Sequence, residues 1–147
     1  MELKKIVTAY DGSKDSAKAV EVGAELALKF KAELVIVHIY SSPVIAYAGG
    51  AGVPAIDMDD LEEAAKEGGQ KVLERGVTMA RAQGAKARGE LLEAASAVQG
   101  LVEFSANEKA DLVVVGTRGM TGFRKLILGS VSSGVVSHAH CPVLVVR

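Results

Sequence analysis

The residues of this chain best suited to chemistry are glycines that follow an apolar run. Gly116, Gly119 and Gly129 occur in the pattern G-x2-G-x9-G-S, which ends at Ser130. The pattern begins where the apolar run at residues 112–115 stops, and it ends where another apolar-periodic stretch begins. Glycines let backbone N–H groups approach phosphate oxygens closely, and a helix N-terminus supplies unpaired donors with partial positive charge. The spacing therefore predicts an anion-binding loop between a strand and a helix.

Other residues of the same segment could contact the anion. Ser130 could cap the helix, donate to a phosphate oxygen, or do both. Arg118 could neutralise phosphate charge or remain a solvated surface residue, and Gly122 adds backbone freedom outside the pattern. The candidate binding residues of this segment are Gly116, Thr117, Arg118, Gly119, Gly122, Gly129, Ser130 and Val131.

A second group of candidates follows the first apolar run, in Ala9-Tyr10-Asp11-Gly12-Ser13. The Asp11 carboxylate could hydrogen-bond a ribose or assist a phosphate-bound metal ion. It could also form an Asx turn that prepares the next helix, and the two roles are compatible. Ala9 and Asp11 are the candidate binding residues here.

The apolar pattern predicts the elements that must position these residues. Short apolar runs at residues 6–9, 34–40, 87–92, 112–115 and 142–146 are typical of buried strands of a parallel sheet. Helical spacing fills the gaps, and Ser13 or Asp15 could cap the first helix. Alternating strands and helices predict an α/β fold with a doubly wound sheet and helices on both faces. The buried face of the first helix should carry Ala17, Val20, Ala24, Ala27 and Phe30.

One stretch, from Ser41 to Asp59, breaks this rhythm. It contains two prolines and three glycines, with apolar residues that follow no period. We expect a long mobile loop after the second strand, which is either a flexible surface insertion or a lid over a ligand.

Composition and charge restrict the classes of protein. The chain has 147 residues, which fits one domain over residues 1–147. Seventeen basic and eighteen acidic residues leave a net charge of −1, so no global field attracts nucleic acid or an anionic membrane. No stretch approaches the roughly 20 apolar residues of a membrane span. A single cysteine, Cys141, excludes an intrachain disulfide, and no ligand spacing around the three histidines completes a metal site. We expect a cytoplasmic protein.

The glycine pattern resembles the nucleotide-binding loop of the universal stress protein family, G-x2-G-x9-G-[S/T], with every fixed position present. The start of the chain, from Val7 to Ser13, and its end, C-P-V-L-V-V from Cys141, look like the same family. The resemblance therefore spans the chain, although residues 41–89 are generic. The pattern is neither a Walker A loop nor a dinucleotide fingerprint, because Gly-Lys-[Ser/Thr] and G-x-G-x-x-G are absent from the sequence.

The resemblance implies a Rossmann-like sheet of five parallel strands in the order 3-2-1-4-5. In such a sheet a ligand binds where the winding direction reverses, between strands one and four, where Asp11 and the glycine loop would meet. The resemblance also implies the ATP-binding subclass, with the backbone around Ile39 contacting adenine. Mg²⁺ or Mn²⁺ would be held mainly through the phosphates.

For function, the resemblance implies a nucleotide-responsive regulator in the stress response, with at most slow ATP hydrolysis. A slow metal-dependent ATP hydrolase and a ligand-free interaction protein of the same fold are the alternatives. The last strand, from Pro142 to Arg147, would lie at an apolar edge of the sheet. Because an uncovered edge tends to pair with another strand, we expect a homodimer through it.

Overall fold

The computed structural model describes residues 1–43, 58–117 and 128–147. These residues form a five-stranded parallel sheet with helices packed on both faces. The strands are β1 (Lys5–Ala9), β2 (Glu33–Tyr40), β3 (Ala87–Glu93), β4 (Leu112–Gly116) and β5 (Val143–Val146). The helices are α1 (Lys14–Phe30), α2 (Met58–Ala82), α3 (Ala97–Asn107) and α4 (Ser130–His138).

The strand order is β3-β2-β1-β4-β5, which confirms the predicted topology. Val7 of β1 lies beside Val35 of β2 on one side and Val113 of β4 on the other. The chain winds outward from β1 to β2 and β3, and then returns across β1 to β4 and β5. The winding direction therefore reverses between β1 and β4, where a crevice opens at the carboxyl ends of the strands.

Each face of the sheet is covered by a different pair of helices. Ile6, Leu34 and Ile36 are fully buried against α1 and α2. Val35 and Val113, which alternate with them, are fully buried against α3 and α4. Side chains alternate between the two faces of a strand, so a sheet covered on both faces requires apolar residues at nearly every position. This requirement explains the near-continuous Val/Ile/Leu runs of the sequence.

The boundaries differ from the sequence-based expectation in two places. Helix α2 begins at Met58, so Met58 and Asp59 are helical and do not belong to the predicted loop. Asp59 and Asp60 lie in its first turn, where the helix dipole favours carboxylates. Residues 44–57 of the predicted loop lie outside the described residues. Phe30, expected on the buried face of α1, is 47% exposed because it is the last residue of that helix.

Charged side chains join the amino ends of three strands, opposite the crevice. Arg88 of β3 donates to Glu33 of β2 (2.6 Å) and to Glu108 after α3 (2.8 Å). Lys5 of β1 also donates to Glu108, at 2.8 Å. The hydrogen bond from Arg88 holds the pKa of Glu33 below its ordinary value, and the one from Lys5 lowers the pKa of Glu108. No helix formed by the described residues is long and apolar enough to cross a membrane.

This charge network predicts an acid-sensitive stability. The pKa values of Glu33 and Glu108 are lower in the folded state than in the unfolded chain. Their contribution to the free energy of unfolding is therefore fully present above about pH 5, and it is lost as the pH falls through the folded-state pKa values. We expect Glu108→Gln to lower the free energy of unfolding at pH 7 by less than about 1 kcal/mol, because these side chains are partly exposed. The variant should also show a shallower loss of stability below about pH 4.5. Urea denaturation across this pH range measures both effects.

The matched control is Glu2→Gln, because Glu2 pairs with Lys4 where both side chains are largely solvated. This substitution should leave the pH dependence unchanged. A Glu108→Gln variant with the same pH dependence as the native protein would contradict the assignment.

Candidate functional site

A cavity of about 310 Å³ lies at the carboxyl ends of β1, β2 and β4, where the winding reverses. Its lining is mostly apolar. The apolar lining residues from the strands and from α3 and α4 are Ala9, Val37, Ile39, Ala97, Leu101, Val115 and Val131. The other lining residues come from the β1–α1 segment, the end of β4 and the beginning of α4, and they are Tyr10, Asp11, Ser16, Gly116, Gly129, Ser130 and Ser132.

The structure brings most of the predicted site residues to this single cavity. Those that line it are Ala9, Asp11, Ile39, Gly116, Gly129, Ser130 and Val131. Thr117 does not line the cavity, because its side chain points to α1. Arg118, Gly119 and Gly122 lie outside the described residues. Contact between any of these residues and a ligand stays a prediction.

The turn between β1 and α1 is built around Asp11. Its Oδ1 atom accepts hydrogen bonds from the backbone N–H of Ser13 (2.9 Å) and from the hydroxyl of Ser16 (2.8 Å). Gly12 has a φ of +87°, a conformation that glycine adopts without strain. Ser13 caps α1, because its hydroxyl accepts from the N–H of Ser16 at 3.2 Å. The predicted Asx turn is therefore present, and Asp11 is also one of the residues that line the cavity.

Gly116 ends β4 at a point of very close approach to α1. A Cβ atom at this position would lie 2.6 Å from the carbonyl carbon of Asp15 and 2.9 Å from the nitrogen of Ser16. Both neighbours are backbone atoms of the first turn of α1, which cannot move aside without displacing the helix. Glycine at this position therefore lets the β1–α1 turn lie directly beside the end of β4.

Thr117 joins the elements around the site by hydrogen bonds. Its hydroxyl donates to Oδ2 of Asp15 at 2.8 Å, and its N–H donates to the carbonyl of Val146 at 2.9 Å. Its own carbonyl accepts from the N–H of Gly129 at 2.7 Å and from the hydroxyl of Ser132 at 3.0 Å. This one residue thus connects the end of β4 to α1, β5 and the beginning of α4.

The beginning of α4 differs from the beginnings of α1 and α3. Ser13 caps α1, and Ser96 caps α3 through a hydrogen bond from the N–H of Gln99. The N-cap of α4 is Gly129, which has no side chain to cap the helix. The first N–H groups of an α-helix have no intrahelical partner, and they carry the positive end of the helix dipole. The first helical residues, Ser130 and Val131, therefore bring backbone donors to the lining of the cavity.

Several lining residues were not identified by the sequence analysis. Ser132 is a buried serine two residues after Ser130, so a local search around Ser130 would find it. Ser16 is also buried, but it lies five residues after Asp11 and no spacing marks it as a lining residue. Ala97 and Leu101 are four residues apart on α3, a spacing that indicates a shared helix face but not what that face covers.

Other reactive groups lie away from the cavity. Burial raises the pKa of the Cys141 thiol, and this side chain packs against the core formed with α3 and α4. His38 uses its Nδ1 atom in a 2.9 Å hydrogen bond with the carbonyl of Tyr10. Among the described residues there is no group of three or more His, Cys, Asp or Glu side chains that could hold a metal ion.

The strand order and the position of the cavity define a doubly wound α/β protein with its pocket at the reversal of winding. The model of the universal stress protein family matches residues 2–147. A universal stress protein of Methanocaldococcus jannaschii is 40% identical over 98% of this chain and 82% of its own length. Universal stress protein YxiE of Bacillus subtilis is 34% identical over 97% of this chain and 98% of its own length. The chain belongs to the universal stress protein family.

Solved structures agree with this assignment. Universal stress protein UspA of Lactobacillus plantarum has a TM-score of 0.82 at 20% identity and covers 100% of this chain and 99% of its own, so it shows the fold. A universal stress protein in complex with cAMP has a TM-score of 0.72 at 26% identity, and the match covers 100% of this chain and 98% of that protein. The protein of Archaeoglobus fulgidus in complex with dAMP has a TM-score of 0.67 at 26% identity, covering 100% of both chains.

The contact at Gly116 predicts a destabilising substitution. The methyl group of Gly116→Ala would overlap backbone atoms of Asp15, so α1 must shift away from β4. We expect the free energy of unfolding to fall by about 1–3 kcal/mol, as for other overpacked positions. Urea denaturation followed by circular dichroism measures this loss.

Gly68→Ala is the matched control, because a Cβ atom at this position of α2 would meet nothing within 4 Å. Alanine inside a helix should raise the free energy of unfolding by about 0.5–1 kcal/mol. Equal or greater stability of Gly116→Ala relative to the native protein would disprove the steric account.

Proposed function

We propose that this protein binds ATP in the cavity between β1 and β4 and acts as a nucleotide-responsive regulator. The observation that carries the proposal is the beginning of α4, which has no side-chain cap and lines a mostly apolar cavity. A nucleotide matches both features, because its base is a flat ring of low polarity and its phosphates are anions. Apolar pockets with a few polar groups are typical of small-molecule sites, and helix N-termini are typical of phosphate sites.

The lining suggests how the nucleotide would lie. The base would pack against Ile39 at the end of β2 and Leu101 of α3, with the backbone near Ile39 contacting adenine. The phosphates would meet the N–H groups of the first helical residues, Ser130 and Val131, where the α4 dipole favours negative charge. The ribose would then lie between them, near Asp11. In this orientation each part of the ligand would face lining residues of matching polarity.

The relatives with bound ligands support an adenine nucleotide. The structures in complex with cAMP and dAMP are 26% identical to this chain and cover nearly all of it. ATP is our specific proposal for this chain, since its G-x2-G-x9-G-S pattern provides a loop and a helix start at the phosphate end.

A divalent metal ion would be bound through the nucleotide. Asp11 has the one charged side chain among the described residues that line the cavity. The described residues therefore do not supply a complete ligand set of their own. Mg²⁺ is commonly held by substrate phosphates with few protein ligands, and we propose that Mg²⁺ or Mn²⁺ is held in this way. Such an ion would neutralise part of the phosphate charge.

The same lining favours a regulator over an efficient hydrolase. Fast phosphoryl transfer uses positioned cationic groups and a residue that orients the nucleophile. The described part of the cavity provides backbone donors, hydroxyl groups and one carboxylate that takes part in the β1–α1 turn. We therefore expect slow ATP hydrolysis, well below the roughly 1–1,000 per second of typical enzymes.

Binding at the α4 N-terminus is tested by adding a negative charge there. Ser130→Asp places a carboxylate in the first turn of α4, where it stabilises the helix by about 0.3–1 kcal/mol but repels phosphate. In the native protein, ATP at a hundred times its dissociation constant should add about 2.7 kcal/mol of stability. We expect the variant to keep or raise its melting temperature without ligand and to lose most of the shift with ATP. Differential scanning fluorimetry measures both values.

Ser137→Asp is the control for this experiment, because Ser137 is exposed in the last turn of the same helix. It should lose a little stability without ligand and keep the ATP shift. A native protein without any ATP shift, or a Ser130→Asp variant with a full shift, would refute the proposed site.

We also propose that the protein forms a homodimer through β5. This strand is the last in the sheet order, so its outer edge has no strand partner among the described residues. The carbonyls of Pro142 and Val146 accept hydrogen bonds from β4 and the residue after it, so the backbone groups of Val143 point outward. Leu144 of this strand is 37% exposed. An exposed apolar edge of this kind can be satisfied by antiparallel pairing with a second copy.

We expect Leu144→Lys to shift the protein from dimer to monomer, because lysine on an edge strand opposes edge-to-edge pairing. Sedimentation velocity at micromolar concentration measures the change. Leu28→Lys is the control, since Leu28 is also an exposed leucine, at 47%. It belongs to α1 and lies beside Gly84, which precedes β3 at the opposite edge of the sheet from β5. A native protein that is monomeric under these conditions would contradict the dimer proposal.

A further inference from the structure

The hydroxyl of Ser132 joins two chain segments that meet where α4 begins. Ser132 is 2% exposed, and its Oγ atom lies 3.0 Å from the carbonyl oxygen of Thr117 and 3.0 Å from that of Gly129. Thr117 follows β4, whereas Gly129 is the N-cap of α4. The N–H of Gly129 also donates to the Thr117 carbonyl, at 2.7 Å. Two donors from the α4 segment, one of them a side chain, therefore hold one acceptor at the end of β4.

The single hydrogen of this hydroxyl determines what Ser132 can do. A serine hydroxyl has one hydrogen and two lone pairs. The two carbonyl oxygens can only accept, so the Ser132 hydrogen is shared between them. The hydroxyl oxygen is then left with lone pairs, and an ionised phosphate has no hydrogen to offer it. Ser132 therefore lines the cavity without being a donor to a phosphate.

Neither carbonyl needs this hydroxyl in order to have a donor. The Thr117 carbonyl also accepts from the N–H of Gly129, and the Gly129 carbonyl also accepts from the N–H of Ser133 at 2.9 Å. Removal of the Ser132 hydroxyl would leave each of them with one hydrogen bond, so the fold should survive. The hydroxyl thus supplies a link between the two segments rather than a missing donor.

This link acts on the direction of the first N–H groups of α4. The N–H groups of Ser130 and Val131 have no intrahelical partner, and both residues line the cavity. They belong to a helix start that is fastened to Thr117, which is itself hydrogen-bonded to β5 through its N–H and to α1 through its hydroxyl. Donors that are held in place before a ligand arrives bind it without the cost of ordering them.

We propose that Ser132 is a positioning residue that directs the first N–H groups of α4 towards the phosphates of the nucleotide. The inference rests on the proposed nucleotide-binding function and divides its phosphate end into two parts. Backbone N–H groups bind the phosphates, and the Ser132 hydroxyl holds those groups in place from behind. The affinity for the phosphates therefore depends on Ser132, whereas the affinity for the nucleoside does not.

The experiment compares ATP with adenosine by isothermal titration calorimetry in excess Mg²⁺. The native protein should bind ATP more tightly than adenosine. Ser132→Ala should weaken the binding of ATP about fivefold or more, as expected for the loss of one hydrogen bond, and should change the binding of adenosine less than about twofold. A purely structural role would weaken both ligands together, so the ratio of the two affinities is the diagnostic value.

A second measurement tests the link in the protein without nucleotide. Amide hydrogen exchange followed by NMR reports how often the hydrogen bond from the Gly129 N–H to Thr117 opens. In Ser132→Ala this N–H should exchange about fivefold or more faster, because the second bond between the two segments is gone. The N–H of Val113, which donates to the carbonyl of Pro142 within the sheet, should exchange at its native rate.

Ser133→Ala is the matched control. Its hydroxyl donates to the carbonyl of Leu128 at 3.3 Å, which belongs to the same segment as the helix start, so it does not join that segment to β4. The control makes the same change from serine to alanine in the same turn of α4, with the same gain in helix propensity. It should keep the native affinity for ATP and the native exchange rate of Gly129.

The possible results separate the inference from the proposed function. If the native protein does not bind ATP, the proposed function is wrong and this inference is wrong with it. If the native protein binds ATP and Ser132→Ala binds it equally well, nucleotide binding stands and the positioning role is refuted. Equal weakening of ATP and adenosine, or an unchanged exchange rate of Gly129, also refutes it. So does a Ser132→Ala variant that fails to fold, because both carbonyls keep a donor without the hydroxyl.

Discussion

The close approach between the first turn of α1 and the end of β4 is the constraint on which the rest of the site depends. At Gly116 a side chain would overlap the backbone of Asp15, so no other residue allows this spacing. Neighbouring parallel strands lie about 4.8 Å apart whatever their sequence, but their connecting turns need not meet. The contact at Gly116 brings the turn that contains Asp11 beside the beginning of the loop after β4. Asp11 and Gly116 therefore both line the crevice at the reversal of winding.

Polar side chains near this contact are largely engaged with one another. Ser13 caps α1, Ser16 donates to Asp11, and Thr117 donates to Asp15. These bonds hold the walls of the cavity, so the side chains serve its shape before they serve a ligand. The beginning of α4 is different, since Gly129 provides no cap and leaves backbone N–H groups at the cavity. In the proposed function, phosphates would therefore meet backbone N–H groups beside a glycine rather than a set of charged side chains.

The amino end of the sheet has a contrasting chemistry. There, Lys5, Arg88 and their glutamate partners connect β1, β2 and β3 by ion pairs that are partly open to solvent. Between the two ends, the strands are apolar on both faces and are buried by different pairs of helices. Charge that fixes the sheet is thus kept away from the end where an anion would bind. The separation leaves the α4 dipole as the main positive feature of the described cavity wall.

The sequence alone determined the fold class and the place of the glycine pattern. Near-continuous runs such as residues 34–37 can be buried only in a sheet covered on both faces, and this property is local to each run. The order of the strands is not local, and its prediction came from the family resemblance rather than from periodicity. The start of α2 was placed too late because Met58 and Asp59 continue a glycine-rich stretch that has no apolar period.

Only the tertiary structure decided which side chains share the cavity. Ser16 and Leu101 line it beside Asp11, whereas Thr117 turns away from it to bond Asp15. Neither result follows from spacing along the chain. The direction of each of these side chains depends on how α1 and α3 pack on the sheet, which brings together residues as far apart in the chain as Asp15 and Thr117. A local pattern specifies which backbone can approach a ligand, but long-range packing decides which side chains surround it.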